Sequence, residues 1–201
     1  MAKIIEWLKK IPIDLGQGSV AETTMGKKIA LDFVNDGRGK TALDIGCREG
    51  KQTKWLRSRS YKVTSIDVEK VFEDCQVVDA NKGLPFPDNS FDLVWSSEVI
   101  EHLENPEFVA NEIRRVTKKG GDMILTTPNS YALLFQFIAL FGLTPQRIQR
   151  KDHIHFFNEK DVRQLFPKAT ILGYFPYMFI KRRIQSGIGA LSPTFVIHET
   201  K

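Results

Sequence analysis

The sequence predicts an α/β fold, doubly wound, with a mostly parallel β-sheet covered by helices on both faces. Three observations predict it. Short, apolar or β-branched runs alternate with helical patterns from residue 41 onward. The first of these runs, Thr41 to Ile45, enters a glycine-bounded turn, Gly46-Cys47-Arg48-Glu49-Gly50, that opens a helix. The tripeptide Asn105-Pro106-Glu107 carries a capping Asn, Pro at the first helical position and an acid in the first turn. Strands and helices in this order make right-handed βαβ units.

The first 40 residues hold two helical patterns. Ile4, Ile5, Leu8 and Ile11 share one face of the first, which Pro12 ends. A polar stretch from Gly16 to Thr24 leads to the second, near Met25 to Val34, and Asn35-Asp36-Gly37-Arg38-Gly39 is a turn. After the strand at 41–45, Lys51 to Arg59 reads as a helix and Lys62 to Ile66 as a second strand. Gln76 to Val78 is a brief third strand and Phe91 to Ser96 a fourth. In the helix that Asn105 starts, Val109, Ile113 and Val116 recur at spacings of four and three and form its buried face. Lys118-Lys119-Gly120-Gly121 reads as that helix's end, with cations at its negative terminus and glycine beyond the last turn. Met123 to Thr127 is the fifth strand. No repeat, low-complexity tract or linker interrupts the 201 residues, so one domain is expected.

The composition is that of an ordinary soluble globular protein, 42% hydrophobic and 26% charged. Two cysteines, Cys47 and Cys75, form neither a disulfide framework nor a metal-ligand cluster, which fits a cytoplasmic setting. Met1-Ala2-Lys3 leads into an amphipathic rather than a continuously apolar stretch, so no signal peptide is read. The net charge of +5 is spread along the chain, with short clusters at Arg147-Arg150-Lys151 and Lys181-Arg182-Arg183. No aromatic-basic nucleic-acid motif accompanies them; the charge reads as solvated surface that aids solubility, with an anionic partner such as nucleic acid or a membrane surface as the alternative.

In open parallel sheets ligands bind beyond the carboxyl ends of the strands. Here those ends carry Asp44, Asp67 and Asp79 on three successive strands. A dinucleotide site would want Gly-x-Gly-x-x-Gly, and three positions beyond Gly50 stands Thr53, so that fingerprint fails. An acid about 20 residues past a glycine turn is placed to accept bonds from two ribose hydroxyls. Asp79 could take a bond from an adenine amino group. Three acids repel a pyrophosphate and tolerate a cation. The pattern points to a cofactor carrying adenosine and a positive charge.

Leu43-Asp44-Ile45-Gly46-Cys47, Ser65-Ile66-Asp67, the run from Leu84 through Pro85-Phe86-Pro87-Asp88-Asn89-Ser90-Phe91-Asp92 to Val94, and Ser97-Glu98-Val99-Ile100-Glu101-His102-Leu103 resemble class I S-adenosylmethionine-dependent methyltransferases. The nearest branch is the small type 11 group, which includes quinone-biosynthesis methyltransferases. The resemblance runs from about Thr41 to Phe166. It implies a Rossmann-like sheet of seven strands with an antiparallel last strand, the final two at Thr170 to Tyr177 and Thr194 to His198. It divides the chain into N-terminal helices (1–40), a cofactor-binding half (41–128) and a substrate-side half (129–201). It implies that Gly46, Cys47 and Gly50 line the methionine part of S-adenosylmethionine, that Asp67 holds the ribose with Val68 beside the adenine, that Asp79 and Ala80 contact the adenine, and that Ser96 offers backbone near the sulfonium. Lys27 or Lys28 could reach the methionine carboxylate.

The family usually has glycine where Arg48 stands. A side chain turned inward there would block the site, whereas one turned outward, or toward the methionine carboxylate, would be tolerated or would strengthen binding. Blockage would leave a non-catalytic cofactor-binding partner protein as the alternative function.

Methyl transfer from a sulfonium is an in-line displacement, in which holding the reactants in line supplies roughly 7–11 kcal/mol of the barrier. A base is needed only where the nucleophile must lose a proton, and no convincing dyad is visible. Glu98 and His155 are the candidate catalytic residues. After Thr127-Pro128-Asn129 comes an apolar run, Tyr131 to Gly142, too short to span a membrane. It reads as a buried helix, a lid over an apolar substrate or a surface touching membrane. His153-Ile154-His155 shows no third partner in sequence, so no metal is expected. The acceptor is therefore expected to be a small or lipid-like molecule, with peripheral membrane contact open and no oligomeric state specified. Nucleic acid is disfavoured, because the fourth strand ends in Ser-Ser-Glu and not in Asn/Asp-Pro-Pro-aromatic.

Overall fold

A computed structural model describes residues 24–149, 152–175 and 182–201. The expected helix over Ile4 to Ile11 and the basic residues Arg150, Lys151 and Lys181 lie outside the described residues.

Eight strands form one sheet in the order β3-β2-β1-β4-β5-β8-β6-β7. Helix α1 (Met25–Leu31) precedes β1 (Thr41–Ile45), which leads through the glycine turn into α2 (Lys51–Ser58), β2 (Lys62–Asp67) and β3 (Cys75–Val77). Next come β4 (Phe91–Ser97), α3 (Pro106–Val116) and β5 (Thr117–Pro128). The remainder is α4 (Leu133–Ala139), α5 (Pro145–Ile148), α6 (Glu159–Leu165), β6 (Thr170–Phe175), β7 (Arg182–Ile184), α7 (Ile188–Leu191) and β8 (Thr194–Thr200). Strands β3, β2, β1, β4 and β5 run parallel. β8 inserts antiparallel between β5 and β6, the arrangement expected of the last strand.

The two-residue period of the strands sorts their side chains into two cores. Leu43 and Ile45 of β1, Val94 of β4 and Met123 and Leu125 of β5 face Val109, Ile113 and Val116 of α3. Ala42, Leu93, Trp95 and Ile124 face the opposite way, onto Ile29 and Ala30 of α1 and Leu56 of α2. The start of α3 is as expected: Asn105 Oδ1 accepts from the Phe108 amide at 3.0 Å, with Pro106 at the first helical position.

Two expectations are corrected. Residues Lys118 to Gly121 do not cap α3; the helix stops at Val116, and these residues belong to β5. The reason is long-range pairing: the Gly120 amide donates to the Lys201 carbonyl at 2.8 Å, and the Lys201 amide donates to Gly121 at 3.0 Å. Gly120 takes a φ of +75° where β5 shifts register against β4, a glycine demand as strong as any helix cap's. Among the described residues the strand count is eight instead of seven, because Arg182–Ile184 pairs antiparallel with Gly173 to Phe175 as an extra edge strand. One of its basic residues is thereby accounted for: the Arg183 guanidinium lies 4.8 Å from the centroid of the Phe33 ring.

Candidate active site

A cleft of about 500 Å³ opens beyond the carboxyl ends of β1, β2 and β4. The turn after β1 forms its floor. Gly46 and Gly50 have φ of +75° and +72°, and Arg48 between them has +43°. The Gly46 and Cys47 amides both donate to the Ile66 carbonyl, at 2.9 and 3.1 Å, which ties the turn to β2. A Cβ at Gly46 would lie 2.3 Å from Val99 Cγ2, so glycine is required there on two counts. The left-handed φ at Arg48 explains why glycine is the usual residue at this position. The arginine side chain is exposed and is among the residues that line the cleft.

Asp67 ends β2 half-buried, its Oδ2 accepting from the Arg48 amide at 3.0 Å and its Oδ1 from the Glu69 amide at 3.3 Å. One carboxylate thus fixes the glycine turn and faces the cleft. Asp44 is deeper. Its Oδ2 accepts from Thr53 Oγ1 at 2.6 Å, and that hydroxyl also bonds Ser65 Oγ at 2.8 Å. Burial pushes the Asp44 carboxyl up to about 6, against the opposing pull of the Thr53 bonds. The cleft lining carries Asp44, Glu49, Asp67, Glu69, Glu98 and Asp152 against Lys27, Arg48 and Lys51. A cationic ligand is electrostatically at home there.

Of the residues singled out in the sequence, Asp44, Gly46, Cys47, Arg48, Asp67, Val68, Ala80 and Glu98 line the cleft, and so does Lys27. Gly50, Asp79, Ser96, Lys28 and His155 are not among the lining residues. Asp79 instead caps the 3-10 turn Ala80–Lys82, accepting from the Asn81 amide at 3.0 Å, and Asn81 is the residue that reaches the cleft. Trp95 and Ser97 line it from β4, flanking the inward-packed Ser96. Strand parity could have shown this, since Trp95 sits beside Asp44 in register. His155 stacks on Phe157 at 5.7 Å between centroids. Burial also pushes the Cys47 thiol well above its ordinary value.

The stretch after β4 is strained. Glu98 is held at a φ of +58°, its amide donating to the Thr126 carbonyl at 2.9 Å and its Oε1 accepting from Thr126 Oγ1 at 2.9 Å. Glu101 follows on a 3-10 turn, Ile100–His102, and is 1% exposed. Burial first and the Glu98 charge second hold its carboxyl well above the usual carboxylate range. His102 and His153 also line the cleft, with their rings edge to face at 4.7 Å.

The structure thus joins a glycine turn, an acid at the end of β2 and an acid-lined cleft at the strand ends. The family profile described as "Methyltransferase domain" matches residues 43–125, which contain all of them. Those residues resemble a class I methyltransferase domain of the type 11 branch. The domain is 31% identical over 106 residues to malonyl-[acyl-carrier protein] O-methyltransferase of Erwinia pyrifoliae, covering 48% of this chain and 40% of that protein. It is 29% identical over 140 residues to 2-methyl-6-phytyl-1,4-hydroquinone methyltransferase of a Synechocystis, covering 63% and 39%. The chain thus spans about two-fifths of the length of these curated relatives. In fold, it superposes on a SAM-dependent methyltransferase from Archaeoglobus fulgidus with a TM-score of 0.65 at 14% identity, covering 88% of this chain and 92% of that one.

Proposed function

We propose that this protein transfers the methyl group of S-adenosylmethionine to an oxygen of a small or lipid-like acceptor. The observation that carries the reading is the cleft itself. Asp67 is fixed between the Arg48 and Glu69 amides, and Asp44 is buried beside it, under a turn that only glycine at position 46 can make. Asp67 receives the ribose hydroxyls, and Val68, Ala80 and Asn81 flank the adenine. Lys27 pairs with the methionine carboxylate. Arg48 is exposed at the cleft, so the steric ground for a non-catalytic partner protein is weak.

Several relatives are O-methyltransferases by name, which supports oxygen as the acceptor atom, and the phytyl-hydroquinone, ubiquinone and tocopherol names support an apolar acceptor body. The apolar run after β5 supports the same view. Leu133, Phe137, Leu140 and Phe141 are 55–80% exposed, and only Ala132, Phe135 and Leu143 are buried, so the run is not a buried helix. No helix among the described residues is long and apolar enough to cross a membrane. We assign this face to contact with a lipid surface or with a lipid-like acceptor, and the reduced cysteines to a cytoplasmic setting. In this reading the chain works as one unit, residues 41–128 holding the cofactor and 129–201 the acceptor.

The chemistry balances simply. The acceptor oxygen forms a bond to the methyl carbon as the carbon–sulfur bond breaks, its electron pair passing to sulfur, and where the acceptor is a hydroxyl its proton leaves to solvent. The decisive test is calorimetric titration with S-adenosylmethionine and S-adenosylhomocysteine, for the native chain and for Asp67→Ala. Loss of two charge-assisted bonds, about 1.5–3 kcal/mol each, should weaken both ligands by more than a hundredfold. Unaltered affinity in a folded variant would overturn the assignment of the ribose.

A further inference from the structure

Glu101 is the most conspicuous polar group in the molecule that the methyl-transfer reading leaves unused. Its Oε2 accepts from Thr127 Oγ1 at 3.0 Å, but its Oε1 is buried with no hydrogen-bond partner. A buried carboxylate oxygen without a hydrogen bond is expensive, and it calls for a cation or a proton. Two imidazoles stand next to it. His102 Nδ1 lies 2.8 Å from the Asp152 carbonyl, which can only accept, so Nδ1 carries the proton and Nε2 the lone pair. His153 Nδ1 lies 3.4 Å from Gln149 Oε1, and its Nε2 lies 4.0 Å from Glu101 Oε1.

The geometry points to a site for a divalent transition-metal ion, of the Zn²⁺ or Mn²⁺ kind, held by Glu101, His102 and His153. One ligand atom from each lies within 4.8 Å of the other two. Ligands about 2.0–2.2 Å from a common ion would stand roughly 3–3.5 Å apart, so closure needs shifts of about an ångström. Two imidazoles and a carboxylate leave coordination positions open, the pattern of a catalytic metal and not of a structural one. The outer partners are also in place: the Asp152 carbonyl and the Gln149 amide oxygen orient the rings, and Thr127 holds the second carboxylate oxygen. His153 is brought in across 50 residues by backbone, because the Ile154 and His155 amides both donate to the Glu101 carbonyl, at 3.1 and 3.0 Å.

His102 and His153 line the same cleft as Asp67 and Gly46, so the ion faces the bound methyl donor. Resting on the methyltransferase reading, its task is to bind the acceptor hydroxyl. The coordinated oxygen releases its proton to solvent more readily and attacks the methyl carbon as the sulfur leaves. This fills the place of the general base that the sequence lacks.

The test is titration of chelator-treated protein with Co²⁺, followed by its visible ligand-field bands, and with Zn²⁺ by calorimetry. The native chain should bind one equivalent. His153→Ala and Glu101→Gln should each weaken it by about tenfold or more, while His198→Gln, remote from the cluster, should leave it unchanged. Circular dichroism verifies folding, and His102→Ala replaces any variant that fails to fold. Absence of saturable binding in folded protein, or binding indifferent to both substitutions, overturns the site and leaves a proton shared between His153 and Glu101. Titration of S-adenosylhomocysteine into the same samples separates the two readings. Cofactor binding without metal binding removes the metal site alone, whereas metal binding at these residues without cofactor binding retains it and removes the methyltransferase reading.

Discussion

Replacing Asp44 with asparagine should stabilise the free protein and cripple its cofactor binding, with a pH dependence that identifies the cause. Burial raises the Asp44 carboxyl from an ordinary 3.8 to about 6. A carboxyl raised in the folded state binds its proton more tightly there than in the unfolded chain. Its contribution is therefore fully present below about pH 4 and lost as pH rises through about 6. At about 1.4 kcal/mol per pH unit, the ionised group costs the fold about 3 kcal/mol near pH 8 and roughly half of that near pH 5. Asparagine never ionises, and its amide oxygen can still accept from Thr53 Oγ1. Asp44→Asn should therefore raise unfolding stability by up to about 3 kcal/mol near pH 8, and by about 1.5 kcal/mol less near pH 5. Urea denaturation at the two pH values measures this. A cation in the cleft favours ionised Asp44, so affinity of the native chain for S-adenosylmethionine should rise with pH through about 6 and be weak and flat in the variant. Equal stabilisation at both pH values, or none near pH 8, would refute the claim that Asp44 is strained by its own burial. Such a trade of stability against binding is expected where a charge is buried to meet a ligand.

Two further outcomes follow from the same geometry. Arg48→Gly should raise stability by about 1 kcal/mol, or roughly 2–4 °C in Tm, by relieving a left-handed residue at φ +43°; a concurrent loss of S-adenosylhomocysteine affinity would show that the guanidinium holds the methionine carboxylate, and a gain that it obstructs entry. In liposome flotation the native chain should rise with anionic vesicles, and Phe137→Ser with Phe141→Ser should abolish this, each exposed ring contributing about 1.5–3 kcal/mol when buried; no flotation of the native chain on anionic or neutral vesicles ends the membrane reading.

Much of the cofactor side was legible from residues 41–103 because its requirements are local. A turn needing positive φ asks for glycine at 46 and 50, a strand end presents its acid, and Asn105-Pro106 starts a helix whatever surrounds it. Parity along β4 was legible too, yet it favours Trp95 and Ser97 over Ser96. The end of α3 was not, because Lys118-Lys119-Gly120-Gly121 satisfies a helix terminus and a strand bulge equally well. The three-residue strand β7 carries a basic cluster and no apolar alternation, so only its pairing with β6 reveals it.

The sequence by itself determined the parallel α/β order, the glycine turn and two acids, Asp44 and Asp67, at the strand ends that open on the cleft, since each follows from backbone demand and charge within a few residues. Tertiary structure decided the rest. It left Phe137, Leu140 and Phe141 exposed, because no other element among the described residues packs over that face of α4, and it left Arg48 exposed at the cleft. It also laid His153 against Glu101 through two backbone bonds that no pattern in either segment announces. Hydrogen bonds between segments 50 residues apart depend on where the whole sheet carries them, and that information is distributed over the fold.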